Sequence, residues 1–151
     1  MADLMPAQFE MLLRMANAEE GMLFGTIAQS RFATLVRRLA VGARIQEHCY
    51  AAVWEGYASI RPELASRTLA TIGGRRFRLY ESSISDVTTL SENFPGQSPN
   101  YLWPNGREWC LVTPIELRDS FLGCMRSVAT AVGAVGQIDP VDPEAGLLRA
   151  P

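Results

Sequence analysis

The chain has no lysine: all 14 of its basic residues are arginine, set against 16 carboxylates. That absence removes Schiff-base lysines, pyridoxal-phosphate lysines and the lysine of a Walker phosphate loop, and with them three large groups of enzymes. Cysteine is sparse as well. Cys49, Cys110 and Cys124 are widely spaced, contain no CxxC pair and are odd in number, so the expected state is the reduced, buried thiol. Structural zinc sites pair their ligands at short spacing, and His48 with three scattered cysteines offers no such pairing. No metal site and no cofactor is read from the sequence. No apolar run approaches the roughly 18 residues of a membrane span. The opening Met1-Ala2-Asp3-Leu4 lacks the basic and apolar segments of a secretory signal. The expectation is a cytoplasmic protein without a membrane partner.

The net charge is −2, whereas nucleic-acid binders carry a basic patch for phosphate. The best local candidate is Arg75, Arg76 and Arg78. On a strand, Arg76 and Arg78 share one side and Arg75 takes the other, which reads as a solvated strand face. No nucleic-acid partner is expected.

What is present is an ordinary globular chain, 48% hydrophobic and 20% charged, long enough to bury a core without staples. Residues 6–18 place Phe9, Leu12, Leu13 and Ala16 on a helical stripe, with Pro6 in the first turn and Gly21 beyond the end. Ser30 is a candidate N-cap for a second helix whose Phe32, Leu35, Val36, Leu39 and Ala40 recur at helical spacing, with Gly42 as its stop. Cys49–Trp54 reads as a buried strand ended by Gly56. A polar link with Pro62 leads to two runs, residues 68–72 and 75–80, flanking Gly73-Gly74, the signature of a hairpin. Ser83 and Asp86 resemble the cap of a short helix carrying Ile84, Val87 and Leu90. Residues 93–106 look like loop, with Pro95-Gly96 and Pro104-Asn105-Gly106. Residues 109–117 read as a core strand interrupted by Pro114, and residues 125–135 as a helix. The whole predicts an α+β domain over residues 1–138, with an antiparallel sheet of about four to five strands and helices packed mainly on one face. Residues 139–151 form a proline-rich tail.

Three stretches stand out together: Val53-Trp54-Glu55-Gly56-Tyr57; Ser98-Pro99-Asn100-Tyr101-Leu102-Trp103-Pro104 with Arg107-Glu108-Trp109-Cys110; and Thr113-Pro114-Ile115-Glu116 running to Phe121-Leu122-Gly123-Cys124. Their pattern resembles a group of actinobacterial proteins of no established activity, which carry AVWEG followed by SPxLWWPxDRAWxVATEIDxxxTYVGGS. This chain departs from that pattern at Asn105-Gly106, at Pro114 and Glu116, and at Leu122-Gly123-Cys124. The resemblance brings no function, because the group has no established activity, and any chemistry that the group's acidic residues near positions 105 and 114 carried would be lost in this chain.

Candidate catalytic groups are few. His48 and Cys49 are neighbours that point to opposite sides of a strand, a poor dyad. Glu55 and Glu116 lie near strand ends, where a general acid–base pair is conceivable. Aromatic residues give the stronger signal. Tryptophan, tyrosine and arginine are the usual anchors of protein interfaces, and Trp54, Tyr57, Tyr80, Tyr101, Trp103 and Trp109 cluster at strand ends and in one loop; the candidate binding residues are Trp54, Glu55, Tyr57, Tyr101, Trp103 and Arg107. Trp54 and Trp109 also suit a core, and Trp103 suits either a loop pin or an exposed edge. No motif fixes the function. The best reading is a non-enzymatic protein-binding module, of the immunity or antitoxin kind, whose partner is another protein or a second copy of itself. The alternatives are a small hydrolase using Glu55, Glu116 or a cysteine, and a self-associating assembly protein using an apolar N-terminal helix with Met5, Met11 and Met15.

Overall fold

The computed structural model describes residues 9–17, 24–42, 48–57, 69–89, 97–133 and 138–142. Among them eight strands make one antiparallel sheet: β1 (Met11–Ala16), β2 (Cys49–Trp54), β3 (Leu69–Ile72), β4 (Arg75–Ser82), β5 (Tyr101–Pro104), β6 (Trp109–Val112), β7 (Asp119–Cys124) and β8 (Ile138–Pro140). Their spatial order is β3-β4-β2-β5-β6-β7-β1-β8. Helices α1 (Gln29–Gly42) and α2 (Arg126–Val132) pack on each other, and residues 87–89 make one helical turn. The class is α+β with an antiparallel sheet, but the sheet is larger than the four to five strands expected. No helix among the described residues is long and apolar enough to cross a membrane.

Three expected elements change. The helix expected over residues 6–18 is instead a strand over Met11–Ala16. Its run Met11-Leu12-Leu13-Arg14-Met15-Ala16 pairs with β7 along its whole length and with β8 on the other edge. Apolar residues on both sides of a central strand make a continuous run, which helical spacing matches by chance. Met15 is thereby a core residue at 2% exposure, and Met11 packs against the same core, so they form no association surface. Tyr101–Pro104, expected as loop, is β5, held between β2 and β6. Pro99 just before it, Pro104 within it and its short length hide it, but Pro104 sits at the strand's last position, where a missing N–H costs little. The strand expected over residues 109–117 stops at Val112. Pro114 opens a turn closed by the Leu117 N–H to Pro114 O bond of 3.2 Å, and the chain re-enters the sheet as β7.

Other expectations hold. Gly73 and Gly74 take φ of +55° and +75°, the left-handed pair that a two-residue hairpin turn requires. In the cap of the short helix, the Asp86 N–H donates to Ser83 Oγ at 3.1 Å. The sheet continues through Pro140 in β8, past the boundary drawn at residue 138. Met5, Pro6, Gly21, Pro62, Leu90, Pro95-Gly96, the last residues of the helix expected to 135 and the tail beyond Asp142 lie outside the described residues.

The alternation of side chains along strands sorts the interior into two clusters. The larger joins Phe32, Leu35, Val36 and Leu39 of α1 and Val128 and Val132 of α2 to Leu13, Cys49, Ala51, Val53, Leu102, Trp109, Leu111 and Leu122 of the sheet. The smaller holds the alternate strand positions, Ala52, Phe77, Tyr101, Cys110 and Val112, edged by Trp54, Leu79, Trp103, Ile72 and Ile115. Neither α1 nor α2 contributes to it. The three stretches singled out together in the sequence occupy β2, β5, β6 and β7, consecutive in the sheet order.

Candidate functional site

The smaller cluster carries the aromatic side of the sheet. In β2, Tyr50, Ala52 and Trp54 share a side. Register places Tyr50 between Glu81 of β4 and Trp103 of β5, and Ala52 between Leu79 and Tyr101. The Tyr50 and Trp103 rings stack with centroids 5.9 Å apart and planes inclined by 25°. Ala52 has no bulk to separate its neighbours, and Phe77 of β4 meets Tyr101 of β5 edge-on at 5.2 Å. Tyr50, Trp54, Leu79 and Trp103 are half-buried, while Phe77 and Tyr101 are buried. At the rim, His48 and Glu81 lie 3.7 Å apart, both exposed.

The residues singled out from sequence separate in space. Trp54, Tyr101 and Trp103 fall on this aromatic side. Tyr101 is enclosed within the cluster; burial raises the pKa of its hydroxyl above 10.0, Cys110 adds to the rise and Arg75 opposes it. Glu55 is turned away, to the side of β4 that carries Arg76 and Arg78. Its carboxylate takes Arg76 Nε at 2.8 Å and an Arg78 guanidinium nitrogen at 2.9 Å. Tyr57 touches Trp54 edge-on at 5.4 Å, but its ring packs on the larger cluster. Its hydroxyl donates to Gly25 O and accepts from Asn100 Nδ2, both at 3.0 Å. Arg107 is exposed in the turn between β5 and β6, at φ +58°, and its N–H closes that turn on Pro104 O at 3.0 Å. Sequence reasoning missed Tyr50, Phe77, Leu79 and Glu81. The available signal was the alternation Tyr50, Ala52, Trp54, which a reading of β2 as uniformly buried passes over.

A buried polar network fixes this surface from behind. Asn100 accepts the Trp54 N–H on Oδ1 at 2.9 Å and donates from Nδ2 to Tyr57 and to Thr113 O at 3.1 Å. The Ile27 N–H donates to Ser98 Oγ at 3.0 Å, and the Ser98 N–H to Thr26 Oγ1 at 3.1 Å. Asn17 Nδ2 reaches Ser120 Oγ at 2.7 Å, and Ser120 Oγ shares a hydrogen with Thr113 Oγ1 at 3.1 Å. These groups are neutral and bonded to one another, except for Asn17 Oδ1, which is buried without a partner among the described residues, so the network is structural and not reactive. Gly25 belongs to it for a steric reason: its φ is +75°, and a Cβ there would lie 2.6 Å from the Tyr57 hydroxyl.

The groups with catalytic potential do not converge. Cys49 and Cys124 lie in the larger cluster and Cys110 in the smaller. Burial pushes their thiols up, Cys110 to about 12 and Cys49 and Cys124 to about 11, with Asp86 and Glu10 adding to the latter two. A thiol so shifted is a poor nucleophile at neutral pH. Glu116 pairs with Arg75, whereas Glu55 is held by Arg76 and Arg78, so the two carboxylates are bound from opposite sides of β4. Among the described residues no group of three His, Cys, Asp or Glu side chains is placed to hold a metal ion. No family model, curated protein or solved structure matches the chain, so its function is read from this geometry.

Proposed function

We propose that this protein is a non-enzymatic protein-binding module that takes its partner on the aromatic side of the sheet. The observation that carries the reading is the Tyr50–Trp103 stack, two half-buried rings on neighbouring strands, on a side where neither α1 nor α2 packs. Rigid rings of this kind give large contact area at small conformational cost, the property of interface anchors. Trp54 and Leu79 extend the apolar area, and His48 and Glu81 supply a polar rim. Arg107, exposed beside β5, widens that rim. Arginine-bound carboxylates and buried thiols support binding over hydrolysis. The three unpaired cysteines suit a reducing, cytoplasmic setting. An immunity or antitoxin-like role is an analogy of size and fold class.

The test is affinity capture with a terminally tagged chain from the source cells, read by mass spectrometry. One stoichiometric protein is expected, lost on Tyr50→Ala or Trp103→Ala and weakened on Arg107→Ala, with the melting temperature of each variant nearly unchanged. A partner retained by both aromatic variants would refute the assignment of this surface.

A further inference from the structure

Among the described residues, the arginines of the sheet and those exposed on the two helices differ in their partners, while Arg31, Arg107 and Arg118 belong to neither set. Those on the sheet are neutralised: Arg14 lies between Asp119 and Asp139, Arg75 pairs with Glu116, and Arg76 and Arg78 pair with Glu55. Those exposed on the two helices are not. Arg37 and Arg38 of α1 and Arg126 of α2 have no carboxylate partner among the described residues, and neither helix contains an acidic residue. Three side chains there reach back to their own helix backbones: Arg37 Nε donates to Ala33 O at 3.3 Å, Thr34 Oγ1 to Ser30 O at 2.9 Å, and Thr130 Oγ1 to Arg126 O at 3.1 Å, which leaves the rest of the Arg37 guanidinium outward. Glu10 stands at the edge of this layer, where its carboxylate accepts the Arg126 N–H at 2.9 Å.

The helices meet where Gly42 lies against Val128 and Ala131; a Cβ on Gly42 would come within 2.9 Å of the Ala131 Cβ. Arg38 is one turn before that junction. Two exposed apolar side chains accompany the cations: Val41, 76% exposed, and Met125, 37% exposed. In a chain of net charge −2, the two helices thus carry positive charge and exposed apolar surface with no carboxylate of their own, Glu10 at the edge being the one described carboxylate seen to touch them.

We infer that the outer surface of α1 and α2 is a second docking surface, and that its occupant is an acidic protein segment bearing apolar side chains. Guanidinium groups pair with carboxylates in a bidentate fork, which gives register as well as attraction, and Val41, one turn after Arg37, and Met125, next to Arg126, offer exposed apolar contact. Nucleic acid fits less well. No exposed side chain of either helix is aromatic, so bases have no stacking platform, and three cations make few phosphate contacts. A membrane fits less well too, because Phe32, Leu35 and Leu39 point into the core and leave no apolar wedge for lipid. The inference stands apart from the aromatic surface, which uses other elements.

The experiment is fluorescence anisotropy with a labelled peptide that alternates glutamate and leucine, titrated with the whole protein at low and at high salt. Binding is expected at low salt, weakening as salt rises. The triple variant Arg37→Glu, Arg38→Glu, Arg126→Glu should bind at least about tenfold more weakly. The triple glutamine variant, which keeps length and polarity, should fall between the two and unfold at the wild-type temperature. Trp103→Ala should bind as wild type does. Absence of binding at low salt overturns the inference, as does equal binding by the charge-reversed protein. Tighter binding of a single-stranded RNA or of phosphatidylserine vesicles overturns it in favour of those ligands. Loss of binding in Trp103→Ala would place the peptide on the sheet instead.

Discussion

Asn100 fastens the end of β2 through the backbone of Trp54: the Trp54 N–H donates to Asn100 Oδ1 at 2.9 Å, while the Asn100 N–H donates to Ala52 O at 2.9 Å. The same amide group holds Tyr57 and Thr113, so one buried side chain ties β2 to the segments before β5 and after β6. Removing it strands several groups at once, each costing about 1–3 kcal/mol when left unpaired. Asn100→Ala should therefore lose about 2–4 kcal/mol in urea unfolding, as a lower midpoint at unchanged slope. A loss below about 0.5 kcal/mol would mean that water replaces the amide.

Much of the fold was legible where local chemistry and tertiary context agree. The helix from Gln29 was, because Phe32, Leu35, Val36 and Leu39 lie on one stripe and all four are buried. So was the β3–β4 hairpin, because two adjacent glycines admit a left-handed pair. β1 was not legible, since six residues with apolar groups on both sides carry no period to separate strand from helix; pairing with β7 decides it. β5 was hidden by Pro99 just before it and Pro104 within it, and with it went the placement of Trp103. Of the candidate site, the residue types were readable and their sides were not. Glu55 and Tyr57 follow Trp54 closely in sequence, yet Glu55 turns to the arginines and Tyr57 packs on the larger cluster, because the chain leaves β2 by a turn closed by the Tyr57 N–H to Trp54 O bond at 3.3 Å.

The tryptophans of β5 and β6 divide by role. Trp109 is fully buried, and its indole N–H has no hydrogen-bond partner among the described residues. Trp109→Ala should cost about 3–5 kcal/mol through the cavity it opens. Trp109→Phe, which also removes the orphan N–H, should cost clearly less. Trp103→Ala forfeits a half-exposed stack of about 0.5–1.5 kcal/mol and should leave folding largely intact. Thermal melts of the three variants decide it; equal losses for Trp103→Ala and Trp109→Ala would make Trp103 a core residue.

Arg107 occupies the left-handed region at φ +58°, which a side chain with a Cβ disfavours by about 1–2 kcal/mol. Its side chain is exposed, so little packing is lost by deleting it. Arg107→Gly should raise the stability by up to about 1 kcal/mol, seen as a higher unfolding midpoint, and the β-branched Arg107→Val should lower it. Destabilisation by glycine would show that the arginine side chain makes contacts that outweigh the backbone cost. Partner binding separates the two effects, since glycine should weaken capture while it firms the fold.

Alkali should unfold this protein through its thiols. An unfolded cysteine here titrates near 9.0, whereas the folded thiols are raised to about 11 for Cys49 and Cys124 and about 12 for Cys110. Between those values the unfolded chain releases protons that the folded chain keeps, so stability falls as pH rises. The contribution is whole below about pH 9 and declines toward pH 11 to 12, at up to about 1.4 kcal/mol per pH unit for each thiol. Tyr57, Tyr80 and Tyr101, raised by burial above 10.0, act in the same direction at higher pH. Urea unfolding followed from neutral to alkaline pH should show this slope. Cys110→Ala should make it shallower, because the most strongly shifted thiol is gone, even though the variant is less stable at neutral pH. A stability that stays level across this range would mean that water reaches the thiols in the folded protein, and native Cys110 would then react with a thiol reagent as fast as a free cysteine.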